Sequence, residues 1–200
     1  MSKLLVLAGI RGAGKSYLAD RMLREYNREL ELVETFATRA PRFEGERGHR
    51  FYDKRIFSSM YEEGLINVRG NVPGEDEQIG VDYKTLKEII DRSYVPFVVT
   101  GVPDIIRELR VKSDQIDEKL AQFSVFYDVN IYVATDRRTS RDGDQGVLRS
   151  RALARMHRQQ LRVVRFDFVY PVEQFESDKP IRKIFEEMNP IIREFMERKQ

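Results

Sequence analysis

The chain predicts an α/β fold in which a parallel sheet is flanked by helices. Apolar-rich runs at residues 3–8, 95–100 and 129–134 do not alternate as half-wetted strands do, so each reads as a strand buried on both faces. Segments of helical periodicity separate these runs, and strands alternating with helices favour parallel pairing. A glycine-rich turn follows the first run directly.

The elements follow in order. Residues 3–8 form the first strand, bounded by Gly9. Residues 15–28 read as a helix, with Tyr17, Leu18, Met22 and Leu23 as its apolar positions. Residues 31–36 form the second strand. Residues 37 to about 80 change character: they are rich in Gly, Pro, Arg and acids, with short apolar stretches at 50–52 and 65–68. This reads as a small inserted subdomain. Residues 81–92 are helical, since Leu86, Ile89 and Ile90 share a face, and 95–100 form a doubly buried strand. Residues 103–110 and 113–123 are expected as helices, and 129–134 as the third core strand. The polar stretch 136–146, with two glycines and both charge signs, reads as a mobile loop. A helix over 147–163 and a short strand over 166–170, ended by Pro171, come next. An amphipathic helix over 180–197 closes the chain, with Ile181, Ile184, Phe185, Met188, Ile192 and Phe195 on one side. The expected organisation is one domain over 1–200, with a core of 1–34, 81–135 and 147–200, an insertion over 35–80 and a lid-like loop over 136–146.

Composition narrows the classes. A chain of 200 residues buries enough surface to fold without a metal or disulfide staple. It has no cysteine, which excludes a disulfide framework, a zinc–thiolate site and a thiol nucleophile. The opening Met1-Ser2-Lys3 and its short apolar run are too brief for a signal peptide, and no apolar run nears the ~20 residues that span a bilayer. A soluble, cytoplasmic protein without membrane contact is expected. Charged residues make up 34% of the chain, yet the net charge is +2, so global charge names no partner. Locally, residues 145–164 carry several arginines and no acid.

The most specific signal is Gly9-Ile10-Arg11-Gly12-Ala13-Gly14-Lys15-Ser16, which fits the Walker A pattern at every required position. Its glycines allow backbone angles closed to other residues, so that N–H groups can turn inward around phosphates. The following helix presents its N-terminus to the same anion. The expected ligand is ATP–Mg²⁺, bound by Gly9, Arg11, Gly12, Ala13, Gly14, Lys15, Ser16 and Tyr17, with Lys15 reaching the β- and γ-phosphates and the Ser16 hydroxyl on the metal. The bland alternative, a glycine-rich turn capping a helix, is weakened by the buried strand before it. Arg11 either touches a phosphate or is solvated.

After the second strand comes Thr35-Phe36-Ala37-Thr38-Arg39-Ala40-Pro41-Arg42, then Gly45-Glu46, Gly48 and Phe51-Tyr52. With the Walker A loop before it, this order resembles guanylate kinase over roughly residues 1–55; beyond that the agreement is general. The resemblance implies a P-loop kinase fold with an inserted monophosphate-binding subdomain and a lid. It implies that Arg39 and Arg42 grip the phosphate of a monophosphate acceptor, as guanidinium forks suit, and that the Thr35 hydroxyl contacts the base. A solvated arginine loop is the alternative. The departures are specific. The family's phosphate-contacting tyrosine aligns with Phe51, which lacks a hydroxyl, and Tyr52 could replace it only by a register slip that turns the side chain to the other face. The family's Tyr-Gly-Ser segment stands here as Ile79-Gly80-Val81. The base-reading glutamate aligns with Asn67, whose single acceptor oxygen suits guanine less well, and family acids align with Thr100 and Val102. Glu75-Asp76-Glu77 could supply a carboxylate, or form a solvated loop.

The resemblance also implies lid arginines, here Arg137, Arg138 and Arg141, that neutralise charge on the transferring phosphoryl group, and maps Arg151 onto an arginine contacting both phosphates. Arg151, Arg155, Arg158, Arg162 and Arg165 share one helix face, with no acid on that helix to pair with them. The last four read as a solvated face or as partners of acids from elsewhere, or else as a track for a polyanion. His157 reads as a lone surface histidine. The implied activity is ATP-dependent phosphorylation of a nucleoside or deoxynucleoside monophosphate, (d)GMP or a relative, by a monomer or homodimer. Its partners are then small-molecule nucleotides, and nucleic acid is not favoured. Two rivals stand beside it: a kinase acting on a nucleotide within DNA or RNA, and a non-catalytic guanylate-kinase-like binding module.

Overall fold

Leu4 to Ala8 are fully buried in β1 (Lys3–Gly9), the central strand of a five-stranded sheet. The computed structural model describes residues 2–129, 132, 134–135, 147–172 and 181–198. The sheet runs in the order β2 (Leu30–Leu32), β7 (Val95–Thr100), β1, β8 (Ala121–Val129), β9 (Phe168–Val172), every pair parallel. Continuous apolar sequence in β1 and β7 follows from this, because α1 (Lys15–Glu25), α3 (Tyr83–Asp91), α4 (Pro103–Val111), α6 (Val147–Arg162) and α7 (Ile181–Glu197) cover the sheet.

Three expectations need correction. The third core strand is β8, not residues 129–134; residues 132, 134 and 135 are helical. The expected helix over 113–123 shrinks to α5 (Ser113–Ile116). Pairing decides this. β8 matches β1 along its whole length, from Lys3↔Ala121 to Gly9↔Tyr127, and a strand starting at 129 would leave that edge of β1 without partners. The expected strand over 31–36 is divided. Val33 N–H still bonds Phe97 O in the large sheet, whereas Thr35 N–H bonds Gly48 O, where β3 (Thr35–Ala37) begins in a second sheet.

That second sheet has the order β4 (His49–Phe51), β3, β6 (Gln78–Val81), β5 (Val68–Asn71). One face, with Ala37, Val68, Ile79 and Val81, joins the main core. The other packs Phe36, Phe57 and Ile66 into a cluster of its own, with α2 (Lys54–Glu62) as its lid. α2 starts where Asp53 accepts a hydrogen bond from Ile56 N at 2.9 Å. Among the described residues no helix is long and apolar enough to cross a membrane.

The arginine stripe acquires partners here. Asp128, on β8 and 4% exposed, accepts from Arg158 Nε and, at 2.8 Å, from Arg162. Two of the five arginines thus clamp α6 to the sheet, and Arg155 remains exposed. Asp128→Asn should lower stability by about 1–3 kcal/mol, the range for a buried carboxylate whose arginine partners are partly wet. A melting temperature within about 1 °C of wild type would show that the clamp contributes nothing.

Candidate functional site

The chain leaves β1 at Gly9, turns through Gly12 (φ +83°) and Gly14 (φ +93°), and enters α1 at Lys15. Both positive angles are costly for L side chains, which explains the glycines. A Cβ on Gly12 would stand 2.3 Å from the Ala134 carbonyl oxygen, so the loop is pressed against the segment beyond β8. Gly14 is the N-cap residue, and no side chain caps the helix, which leaves its first N–H groups for an anion.

Lys15 folds back onto this loop, its Nζ donating to Gly9 O at 2.9 Å and Ile10 O at 3.0 Å. Burial, then the nearby charges of Arg42 and Arg11, pull its ammonium down to about 7. The surroundings are thus short of negative charge, the condition that phosphates would relieve.

A cavity of about 380 Å³ opens in front of the loop. Lys15, Ser16, Gly12, Gly14, Arg11 and Tyr17 line one side. Arg42, His49, Glu77 and Ile79 come from the second sheet and its loops, and Thr100 and Gly101 from the end of β7. The turn joining β5 and β6 closes over the loop, with Glu75 and, at 3.6 Å, Glu77 paired to Arg11. A Cβ on Gly74 of that turn would meet Leu153 and Met156 of α6, so the turn also abuts that helix.

The two expected phosphate-gripping arginines differ. Arg39 is held on three sides: Glu46 accepts from both of its terminal nitrogens at 2.8 and 2.5 Å, Glu77 accepts from its Nε at 3.1 Å, and the Phe51 ring lies 4.9 Å from its guanidinium carbon. Burial alone would raise the Glu46 carboxyl, but hydrogen bonds from Arg39 and the Arg42 N–H outweigh it and hold it at about 2. Arg42 lines the cavity, with Glu46 at 3.5 Å.

Several expected acceptor residues stand back from the cavity. Thr35 is 1% exposed and its hydroxyl meets His49 Nδ1 at 2.6 Å. Asn67 accepts from Tyr83 N at 2.7 Å and donates to Gly64 O at 3.2 Å, so both ends of its amide serve backbone. Tyr52 stacks on Phe36, on the face opposite Phe51. Gly80 makes room for Ile66 and Phe57, which a Cβ would meet at 2.7 and 3.1 Å. Thr100 does line the cavity, its hydroxyl accepting from Val102 N at 3.0 Å. Gly9 and the buried Ala13 shape the loop from behind. Arg151 lies with its guanidinium carbon 5.1 Å from the Tyr132 ring centre, off this cavity. Arg137, Arg138 and Arg141 lie outside the described residues.

Sequence reasoning overlooked His49, Glu46 and His157. His157 is not a surface residue: it is 4% exposed, lines the cavity, and its Nε2 is 2.5 Å from Gly101 O. A carbonyl only accepts, so Nε2 carries the hydrogen. Burial keeps the ring neutral, with its pKa at about 4, although the Gly101 bond acts the other way. The signal was present, because Leu153, His157 and Leu161 fall on one face of α6.

Comparisons set this geometry among known proteins. No protein-family model matches the chain, and no curated protein does. Among solved structures it is similar to the guanylate kinase from Anaplasma phagocytophilum, with a TM-score of 0.63 and 18% identity, over 98% of this chain and 87% of that one. At that identity the likeness is one of fold: the chain shares the fold of that guanylate kinase.

Proposed function

We propose that the chain is an ATP-dependent nucleoside monophosphate kinase, transferring the γ-phosphoryl group to (d)GMP or a related (d)NMP. One observation carries this reading: Lys15 and Ser16 of the phosphate loop face the same cavity as Arg42 and His49 of the second sheet. A donor on the loop and an acceptor phosphate at Arg42 would thus meet in one cavity, the arrangement in-line transfer requires.

The residues fit the nucleotide. The uncapped start of α1 and the charge-starved Lys15 suit a triphosphate, and the Ser16 hydroxyl would hold Mg²⁺. When bound, the metal supplies neutralisation of the phosphate charge. An acceptor phosphate oxygen forms the new bond to the γ-phosphorus, the bond from that phosphorus to the β–γ bridging oxygen breaks, and ADP leaves with the electron pair. No general base is needed, because the attacking oxygen is already ionised. Lys15 stabilises charge along the β–γ axis, Arg42 orients the acceptor, and Arg39, braced by Glu46 and Glu77, fixes the loop that carries Arg42.

The test is ADP production from ATP–Mg²⁺ with a panel of ribo- and deoxyribonucleoside monophosphates. Turnover on at least one member is expected. Silence across the panel removes this reading.

A further inference from the structure

His49 belongs to none of the motifs that point to a kinase, yet its surroundings give it a defined task. It sits on β4 opposite Thr35 of β3. Its Nδ1 is 2.6 Å from the Thr35 hydroxyl, whereas that hydroxyl is 3.4 Å from Gly48 O. Either tautomer serves the 2.6 Å contact: with the hydrogen on Nδ1 the hydroxyl donates to Gly48 O, and with it on Nε2 the hydroxyl donates to Nδ1 and gives up only the long 3.4 Å contact, so an anion at Nε2 selects the Nε2–H form. Nε2 has no hydrogen-bond partner among the described residues. The ring lines the cavity beside Arg42 and Lys15.

The charged groups facing the ring are Arg39, Arg42 and Glu46 of the loop after β3, and Lys15 at the start of α1; the Phe51 ring lies 5.9 Å away. Burial, then Arg39, hold the imidazole at about 4, with Arg42 and Lys15 acting the same way and Glu46 opposing them. The side chain is therefore a neutral ring in a cationic corner, able to present Nε2–H to an anion. Arg39, by contrast, has Glu46 on its two terminal nitrogens and Glu77 on its Nε. A second donor beside Arg42 is what an anion entering this corner would meet.

We propose that His49 is an acceptor-binding residue, its Nε2–H donating to a phosphate oxygen of the bound monophosphate alongside Arg42. This rests on the reading of the chain as a nucleoside monophosphate kinase. Thr35 then acts through His49, orienting the ring from behind.

Steady-state kinetics with GMP, or with the best-turned-over monophosphate of the panel, test it at saturating ATP–Mg²⁺. His49→Ala should raise the acceptor KM about 10- to 100-fold, the loss of one hydrogen bond to a charged group. The KM for ATP and kcat should stay within about twofold. His49→Gln, whose amide N–H reaches about as far as Nε2, should recover most of the acceptor KM, and His49→Asn should not. Melting curves for each variant separate lost folding from lost binding. An unchanged acceptor KM in His49→Ala overturns the inference and leaves the kinase reading intact. Recovery by Asn rather than Gln also overturns it, since that places the ring's role in its bond to Thr35. A wild-type protein silent on every monophosphate removes both.

Discussion

Replacing Lys15 with methionine should reduce kcat/KM for phosphoryl transfer by at least about a thousandfold, because it deletes the buried cation that the proposed mechanism sets on the β- and γ-phosphates. The fold should survive. Near neutral pH the variant should even melt higher, and the sign follows from the titration. The Lys15 ammonium has its pKa at about 7 in the folded protein against 10.5 ordinarily. Between those values the unfolded chain holds more protons than the folded one, so stability from this group rises with pH over that window. Below about 7 the full cost of burying the charge is present. Methionine keeps the apolar stem without the charge, so the variant should lose this part of the slope. Melting temperatures at pH 7 and 9.5 for both proteins check the electrostatics, and an ADP assay checks the chemistry. Undiminished turnover would remove Lys15 from the mechanism; equal pH slopes would remove the account of its charge.

Gly12→Ala should be the most damaging of the small substitutions. Its φ of +83° strains any side chain, and the new Cβ would stand 2.3 Å from a backbone oxygen, Ala134 O, which cannot swing aside as a side-chain tip can. The two costs together suggest about 2–4 kcal/mol, or roughly 5–15 °C in melting temperature. Displacement of the loop should also weaken ATP binding by more than about a hundredfold, since several N–H groups move at once. Gly45→Ala is the control: its φ is +77°, but nothing lies within 4 Å of the added atom. It isolates backbone strain, about 1–2 kcal/mol. Equal losses in the two variants would show that the close approach to residue 134 is immaterial.

Much of the large sheet was legible because strands buried on both faces write continuous apolar sequence, and β7 falls at residues 95–100 as the pattern implies. β8 was misplaced because Ala121 to Phe123 also suits a helix, and only pairing with β1 decides between them. The phosphate loop was legible because glycine is the cheap solution to its backbone angles. The arginine segment was legible in type but not in allegiance. Nothing local in Arg39 tells that Glu46 and Glu77 hold it, since Glu77 arrives from the turn between β5 and β6, 38 residues away. His49 escaped notice for the same reason: its partner Thr35 lies on the neighbouring strand, 14 residues off.

The second sheet shares one face with the main core through Ala37, Val68, Ile79 and Val81, and keeps the other for Phe36, Phe57 and Ile66. That asymmetry bears on modularity. A graft of residues 35–81 onto another scaffold of this fold would carry one apolar face already matched and one with no counterpart waiting for it. Moving the insert would then require the core surface it packs on here, including the Val102 and Asp104 edge against which Gly70 is pressed, to be transplanted with it.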